Sequence, residues 1–402
     1  MAIHQGLHFS KIATVSFFAT LLVVFSPLLA QSPASPSKKW KDSPLTDKNF
    51  FPIAVWCQGP HNAARYREIG INVYVALWQG PTTEQLAALK IAKMPVICHQ
   101  NEVGLTDKNN DIIIGWMHGD EPDNAQPIPG QQTYGPPIDP KITQSDYQKI
   151  VSADSTRPVL LNLGYGVAWD GWYGRGVRTR HPEDYPEYVK GCDIASFDIY
   201  PLSHEKPKDE IFGKAEVVAF GVDRLRKWAG SERKVWNRIE CTRISNPDYN
   251  PDPALVRAEV WMSLIHGSQG LIYFAHQFKP TAMEAGLLAD PKMTAAVAEI
   301  NRQVQSLAIV LYSPTLTDVA DVKSSDPDAP IDFMVKRDGD SIYVFAACMR
   351  NKPTKATITF KQGKVAEGEV MGETRMVKLT GSSFIDDFGP YGVHLYKFLT
   401  RK

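Results

Sequence analysis

The stretch DIIIGWMHGDEPD, residues 111–123, decides how the chain is read. Three isoleucines run into Gly115 and Trp116 with no polar alternation, the pattern of a strand buried on both faces inside a parallel sheet or barrel. Its carboxyl end carries His118, Asp120 and Glu121, and Pro122 ends the strand because proline brings no N–H to the ladder. Parallel α/β folds bind ligands where strands open into loops, which makes Glu121 the first candidate for a reacting group. The competing reading is a carboxylate that caps the next helix.

Working outward, apolar strand-like runs recur on both sides of this one. FPIAVWCQGP (51–60), INVYVALWQG (71–80) and MPVICHQN (94–101) precede it; RPVLLNLGYG (157–166), IASFDIYP (194–201), KVWNRIECTR (234–243) and GLIYFAHQF (270–278) follow. Helical patterns lie between most of them. Residues 62–69 are closed by Gly70, 82–93 carry Thr83 and Glu84 in the first turn, and 144–153 and a short 185–190 come next. Residues 215–230 place Val218, Val222, Leu225 and Trp228 near helical spacing before Gly230, 253–266 start after Asp252, and 293–310 close the set. The link between strands three and four is too short for a full helix. Eight strands alternating with helices predict a (β/α)8 TIM barrel. An open doubly wound sheet would want a G-x-G-x-x-G turn after its first strand, and none is present.

Beyond Pro314 the pattern changes to short alternating segments, IDFMVKRDGDSIYVFAACM with its Asp-Gly turn, then ATITF and VHLYKF, which predict a small all-β sandwich. The expected organisation is a signal peptide over 1–30, a linker over 31–44, the barrel over 45–312 and the sandwich over 313–402. Residues 12–30 form an apolar run after Lys11 that ends at Ala30, as in a cleaved secretory signal, which predicts a secreted or periplasmic protein; an uncleaved membrane anchor is the alternative. No later stretch is long and apolar enough to span a bilayer.

Among 402 residues, 44 basic side chains balance 44 acidic ones, so no electrostatic footprint for nucleic acid or anionic lipid is visible and function must be read from a site. Cys57, Cys98, Cys192, Cys241 and Cys348 are odd in number and widely spaced, with no C-x-x-C or Cys/His pattern, so neither a disulfide framework nor a structural zinc is expected.

The predicted strand ends collect Trp56 and Gln58, Trp78, His99, Asp120 and Glu121, Asn162 and Tyr165, Asp198 and Tyr200, Glu240 and His276 at one mouth. Trp169 and Trp172 join them from a glycine-rich loop, and the long loop over 123–143 lies directly above Glu121. Amides, carboxylates and aromatic rings without a cationic cluster suit a neutral, hydroxyl-rich ligand, and a sugar is the natural candidate. Glycoside cleavage needs one protonated and one ionised carboxyl group beside the bond, roles for which Glu121 and Glu240 are the candidates. Strand alternation sets Glu240 on the same side as Arg238 and Trp236.

These residues resemble the retaining glycoside hydrolases of clan A. Asp120-Glu121-Pro122 matches the Asn-Glu-Pro-like motif after strand four, except at its first residue. Glu240 matches the glutamate at the end of strand seven, and Asp198-Ile199-Tyr200 is similar to a polar-x-Tyr motif after strand six. The resemblance implies Glu121 as acid/base, Glu240 as nucleophile, a retaining double displacement on a poly- or oligosaccharide, and no cofactor. The sequence departs from the group in lacking an arginine on strand two and in carrying Phe274 and His276 where strand eight usually has Trp. Two other classes compete: a catalytically silent carbohydrate-binding barrel, and a metal-dependent hydrolase gathering His118, Asp120 and Glu121.

Overall fold

A computed structural model describes Trp40, residues 43–361 and residues 364–401; the expected signal peptide and most of the expected linker lie outside the described residues. Nine short parallel strands form the first sheet: β1 (Ile53–Trp56), β2 (Val73–Val75), β3 (Val96–His99), β4 (Ile113–Met117), β5 (Val159–Leu163), β6 (Ile194–Phe197), β7 (Lys234–Val235), β8 (Asn237–Glu240) and β9 (Leu271–Phe274). Their order, β7-β6-β5-β4-β3-β2-β1-β9-β8, is that of a barrel, because β7 and β8 are two halves of one strand. Trp236 joins them: its amide donates to Ala195 of β6, whereas the next amide, on Asn237, donates to Gly270 beside β9. The chain thus changes partner at one residue and closes the ring. Gly270 has to be glycine here, since a Cβ would stand 2.5 Å from the Trp236 ring.

The helices are α1 (Ala63–Glu68), α2 (Thr83–Ala92), α3 (Glu102–Thr106), α4 (Pro140–Ala153), α5 (Tyr185–Tyr188), α6 (Val217–Ala229), α7 (Pro253–Ile265), α8 (Gly286–Ala289), α9 (Pro291–Ser306) and α10 (Ala308–Tyr312). Local chemistry sets their ends. Thr82 and Gln85 form a capping box on α2, and Asp139, Asp252 and Asp290 cap α4, α7 and α9, each followed by proline at the first helical position. The short link between β3 and β4 holds only the five-residue α3. Among the described residues no helix is long and apolar enough to cross a membrane.

The strands are shorter than the sequence suggested, and the reason is at their carboxyl ends. Cys57 after β1, Ala76 after β2 and Glu121 beyond β4 have φ of 47°, 66° and 47°, left-handed values that pleated pairing cannot absorb. Each costs on the order of 1–3 kcal/mol for a non-glycine residue, and such strain gathers at functional sites.

Two antiparallel sheets follow. One holds β10 (Ala320–Ser324), β13 (Thr354–Phe360) and β16 (Ser383–Phe388); the other holds β11 (Ile331–Asp338), β12 (Ser341–Cys348), β17 (Val393–Arg401), β14 (Lys364–Val370) and β15 (Arg375–Val377). In the β11–β12 hairpin Asp338 pairs with Ser341, so Gly339 and Asp340 are the two loop residues, and Gly339 takes φ of 53°. The sheets enclose Ile342, Val344, Ala346, Ile358, Phe384 and Phe398. Strand alternation turns Tyr343, Phe345 and Ala347 to the other face of β12, where they join the barrel core and Phe345 meets Trp261 of α7 at 5.3 Å. Barrel and sandwich therefore share packed apolar surface.

Candidate active site

The carboxyl ends of β4, β5, β6 and β8 build one polar floor. Asn162, the fourth residue of β5, is fully buried, and its amide is oriented by Ser196, whose hydroxyl donates to Oδ1 at 2.8 Å. Its Nδ2 then faces two carboxylates, donating to Asp120 Oδ1 at 2.9 Å and to Asp198 Oδ1 at 3.2 Å. Arg238 reaches the same Asp120 oxygen with Nη2 at 3.0 Å. Its guanidinium lies 3.5 Å from the centroid of the Trp56 ring, so that Trp56, an expected sugar contact, serves here as the shelf for a buried cation. Burial opposes the Arg238 charge, but Asp120, Tyr200 and Asp198 outweigh it and raise its pKa above the ordinary value.

Asp120 keeps 42% of its side chain exposed, so part of the carboxyl faces the open mouth while Oδ1 is held. Lost hydration at the base of the mouth raises its pKa, Arg238 pulls it down, and Asp198 pushes it up. The net effect is a raised pKa, with the guanidinium in direct contact the main pull toward the ionised form.

Glu121 is placed by its own backbone. Its amide donates to the Asn162 carbonyl at 3.1 Å, and its carbonyl accepts from Gln126 Nε2 at 3.2 Å, which holds the left-handed turn. The carboxyl accepts from Asn124 Nδ2 at 2.7 Å, and Asn124 in turn accepts from Trp172 Nε1 at 2.8 Å. Burial, followed by the Asp198 and Asp120 charges, raises the Glu121 pKa well above the ordinary carboxylate range, and the Asp198 carboxyl lies within hydrogen-bonding reach. Two carboxyl groups so close do not both ionise readily, and the raised pKa favours the protonated form of Glu121. Asp123, two residues on, is wholly buried and accepts from the Gly164 amide and the Tyr185 hydroxyl, both at 2.9 Å; it anchors the loop above the site.

Glu240 stands apart. It has no exposed surface, and its two oxygens accept the Leu202 and Ser203 amides, each at 2.6 Å. Burial pushes its pKa up to about 7, against the pull of these donors, and the Glu259 carboxyl of α7 lies against it. As it stands, Glu240 pins the loop after β6 and presents no atom to a ligand. Arg238, expected beside it by strand parity, pairs with Asp120 instead.

The aromatic residues divide. Tyr165 packs on Trp172 at 4.7 Å and edge-on to Tyr200 at 5.7 Å, lining the floor. Burial raises the Tyr165 pKa far above its usual value, and Asp198, Glu240 and Glu121 add to that. Trp78 is 75% exposed on the rim, free to stack on a sugar. Trp169 is buried in the core, with Trp172 at 5.9 Å.

Three expected contacts prove to be scaffolding. Gln58 is buried between the Tyr66 hydroxyl at 2.7 Å and the Glu284 carbonyl at 2.8 Å. His276 bonds the Cys57 carbonyl at 3.1 Å, and its pKa is lowered by burial, as is that of the partly buried His99. His118 turns to the Gly191 carbonyl at 2.7 Å, away from the carboxylates, which breaks up the His118, Asp120, Glu121 metal set. Among the described residues no three His, Cys, Asp or Glu side chains gather as a metal site requires. Sequence reasoning missed the Arg238–Asp120 pair, Asn124 and Glu259; Arg238 carried a signal, a cation of inward parity on a buried strand.

No protein-family profile matches this chain, and no curated protein does. Solved structures match its fold, a (β/α)8 barrel followed by antiparallel β-sheets. The α-amylase of Geobacillus thermoleovorans complexed with acarbose aligns with a TM-score of 0.53 at 11% identity, covering 88% of this chain and 99% of that one. An Anoxybacillus α-amylase gives 0.53 at 9% identity over 89% and 99%, and α-galactosidase I of Mortierella vinacea 0.51 at 11% over 88% and 99%. The barrel-and-sandwich fold of this chain is thus one that glycoside hydrolases use.

Proposed function

We propose that the chain is a secreted glycoside hydrolase that cleaves an O-glycosidic bond of a poly- or oligosaccharide by double displacement, with Glu121 as acid/base and Asp120 as the attacking carboxylate. The supporting observation is the division of charge across Asn162. On one side the Arg238 guanidinium bonds Asp120 and favours its ionised form; on the other, burial and the neighbouring Asp198 and Asp120 charges favour a protonated Glu121. A general acid and a charged carboxylate kept in different states within one mouth are what glycoside cleavage requires.

In the first step an Asp120 oxygen bonds to the anomeric carbon as the bond to the leaving oxygen breaks, and the Glu121 proton passes to that oxygen. In the second, Glu121 takes a proton from water, whose oxygen displaces Asp120. The separation of the Glu121 and Asp120 carboxyl groups decides the stereochemical outcome, about 5 Å for retention against about 6.5 Å or more for inversion. The aspartate standing where the resembled group has asparagine thereby gains a role. Secretion rests on the apolar run over residues 12–30 alone.

Glu240 as nucleophile is the second reading, favoured by Tyr165, whose hydroxyl interacts with the charges of both Glu121 and Glu240. It requires the Leu202–Ser203 turn to release the carboxylate. Trapping with a 2-fluoro glycoside followed by peptide mapping decides: label on Asp120 supports the first reading, label on Glu240 the second, and no hydrolysis of any glycoside in a broad panel overturns both.

A further inference from the structure

A cavity of about 460 Å³ opens where α6 and the segment before it face β11 and the turn after β12, at the seam of barrel and sandwich. Its size lies within the range of small-molecule sites. Trp169 and Phe220 form its aromatic walls and Lys214 stands beside them, while Asp223, paired with His266, and Glu216, paired with Arg350 and Tyr391, complete the lining.

Phe220 is the unusual residue. Helix α6 buries Val218, Val222 and Leu225, yet leaves the Phe220 ring 53% exposed at the cavity edge, with the Arg224 guanidinium leaning on it at 5.2 Å. Lys214 is likewise exposed, and among the described residues no acidic side chain pairs with it. Mixed charges disfavour a strongly ionic ligand, whereas donors, acceptors and an uncovered ring together match a hydroxyl-rich one.

Trp169 links this cavity to the barrel mouth. Its ring lies 5.9 Å from Trp172, whose indole N–H donates to Asn124, the residue that donates to Glu121. A ligand touching Trp169 is therefore two side chains from the Asn124–Glu121 hydrogen bond.

We infer that the seam cavity is a second saccharide site, sized for one or two sugar residues and separate from the barrel mouth. The choice of ligand class rests on the glycoside reading above; the cavity and its walls do not. Titration of the full chain with maltose, cellobiose, lactose and xylobiose, followed by calorimetry and tryptophan fluorescence, tests it. At least one disaccharide is expected to bind saturably, and Phe220→Ser and Lys214→Gln, both at exposed positions, should each weaken that binding about tenfold, the equivalent of about 1.4 kcal/mol. Trp78→Ala on the barrel rim should leave the Phe220-dependent part of the binding unchanged. Binding that survives both cavity variants and is lost with Trp78→Ala, or no saturable binding by any of the four sugars, overturns the inference. Phe220-dependent binding without hydrolysis would sink the glycosidase reading and keep this site; hydrolysis without such binding does the reverse.

Discussion

Arg238 donates to Asp120 at 3.0 Å while its guanidinium lies 3.5 Å from the centroid of the Trp56 ring, joining β8, the end of β4 and the end of β1 through one buried cation. Arg238→Gln removes the charge that favours the ionised form of Asp120. The acid limb of kcat/KM should therefore move to higher pH, and kcat should fall by about 100-fold, a typical loss for one electrostatic stabiliser. Because Asp120 is 42% exposed, water takes over part of the arginine's role. The stability loss should then stay below the about 3–5 kcal/mol seen when a wholly buried pair is broken. A pH–rate profile with an unmoved acid limb would show that the pair has no part in setting the charge of Asp120.

Glu121→Gln keeps the shape and the contact with Asn124 but carries no transferable proton. Hydrolysis of glycosides with poor leaving groups should drop by about 10²–10⁴-fold, with much less effect on activated aryl glycosides. The folded pKa of Glu121 lies above its unfolded one, so the native state holds a proton that the unfolded chain gives up, and stability falls as pH rises through that interval. The variant should lose this dependence and gain stability relative to the parent at alkaline pH. Equal losses on activated and unactivated substrates would argue against the proton-donor role.

Much of the barrel was legible because its strands are continuous apolar runs and its helices carry cap chemistry, with Asp252 and Gly230 marking ends that the structure keeps to within a residue or two. Left-handed residues were not legible. Nothing in Cys57, Ala76 or Glu121 as residue types announces positive φ, and these positions end the strands early and aim the mouth. Parity failed at Glu240 for a related reason. Arg238 does point inward, but two residues later the carboxylate is drawn aside by a pair of main-chain amides from the loop after β6, a contact between segments far apart in sequence. Local pattern can place a side chain on a face; it cannot say which distant donor will claim it.

His266, which caps α7, is held between Asp223 of α6 at 2.9 Å and Asp332 of β11 at 3.1 Å, fastening barrel to sandwich. Burial works against its charge, but hydrogen bonds to the two aspartates outweigh it and lift the pKa from 6.5 to about 9. With the folded pKa above the unfolded one, this stabilisation is complete below about pH 6.5 and is lost as pH rises through about 9. Melting temperature across that window should fall more steeply for the parent than for His266→Gln. Parallel curves would mean that the imidazole is not charged in the clamp.

Glu240 offers the sharpest separation of a structural from a catalytic carboxylate. Glu240→Ala strands the Leu202 and Ser203 amides in the interior, where each orphaned donor costs about 1–3 kcal/mol. Glu240→Gln keeps one acceptor oxygen for them and should cost clearly less. If Glu240 pins the loop, activity should follow stability: the glutamine variant keeps most of its kcat at temperatures well below its melting point, while the alanine variant loses structure and activity together. If Glu240 is instead the nucleophile, the glutamine variant should be folded and nearly inactive, and azide should restore turnover to the alanine variant with an inverted glycosyl azide as product. Melting curves and azide-rescue assays on the two variants therefore distinguish a loop anchor from an attacking group, because an anchor cannot be replaced by a small external anion that forms a bond to the sugar.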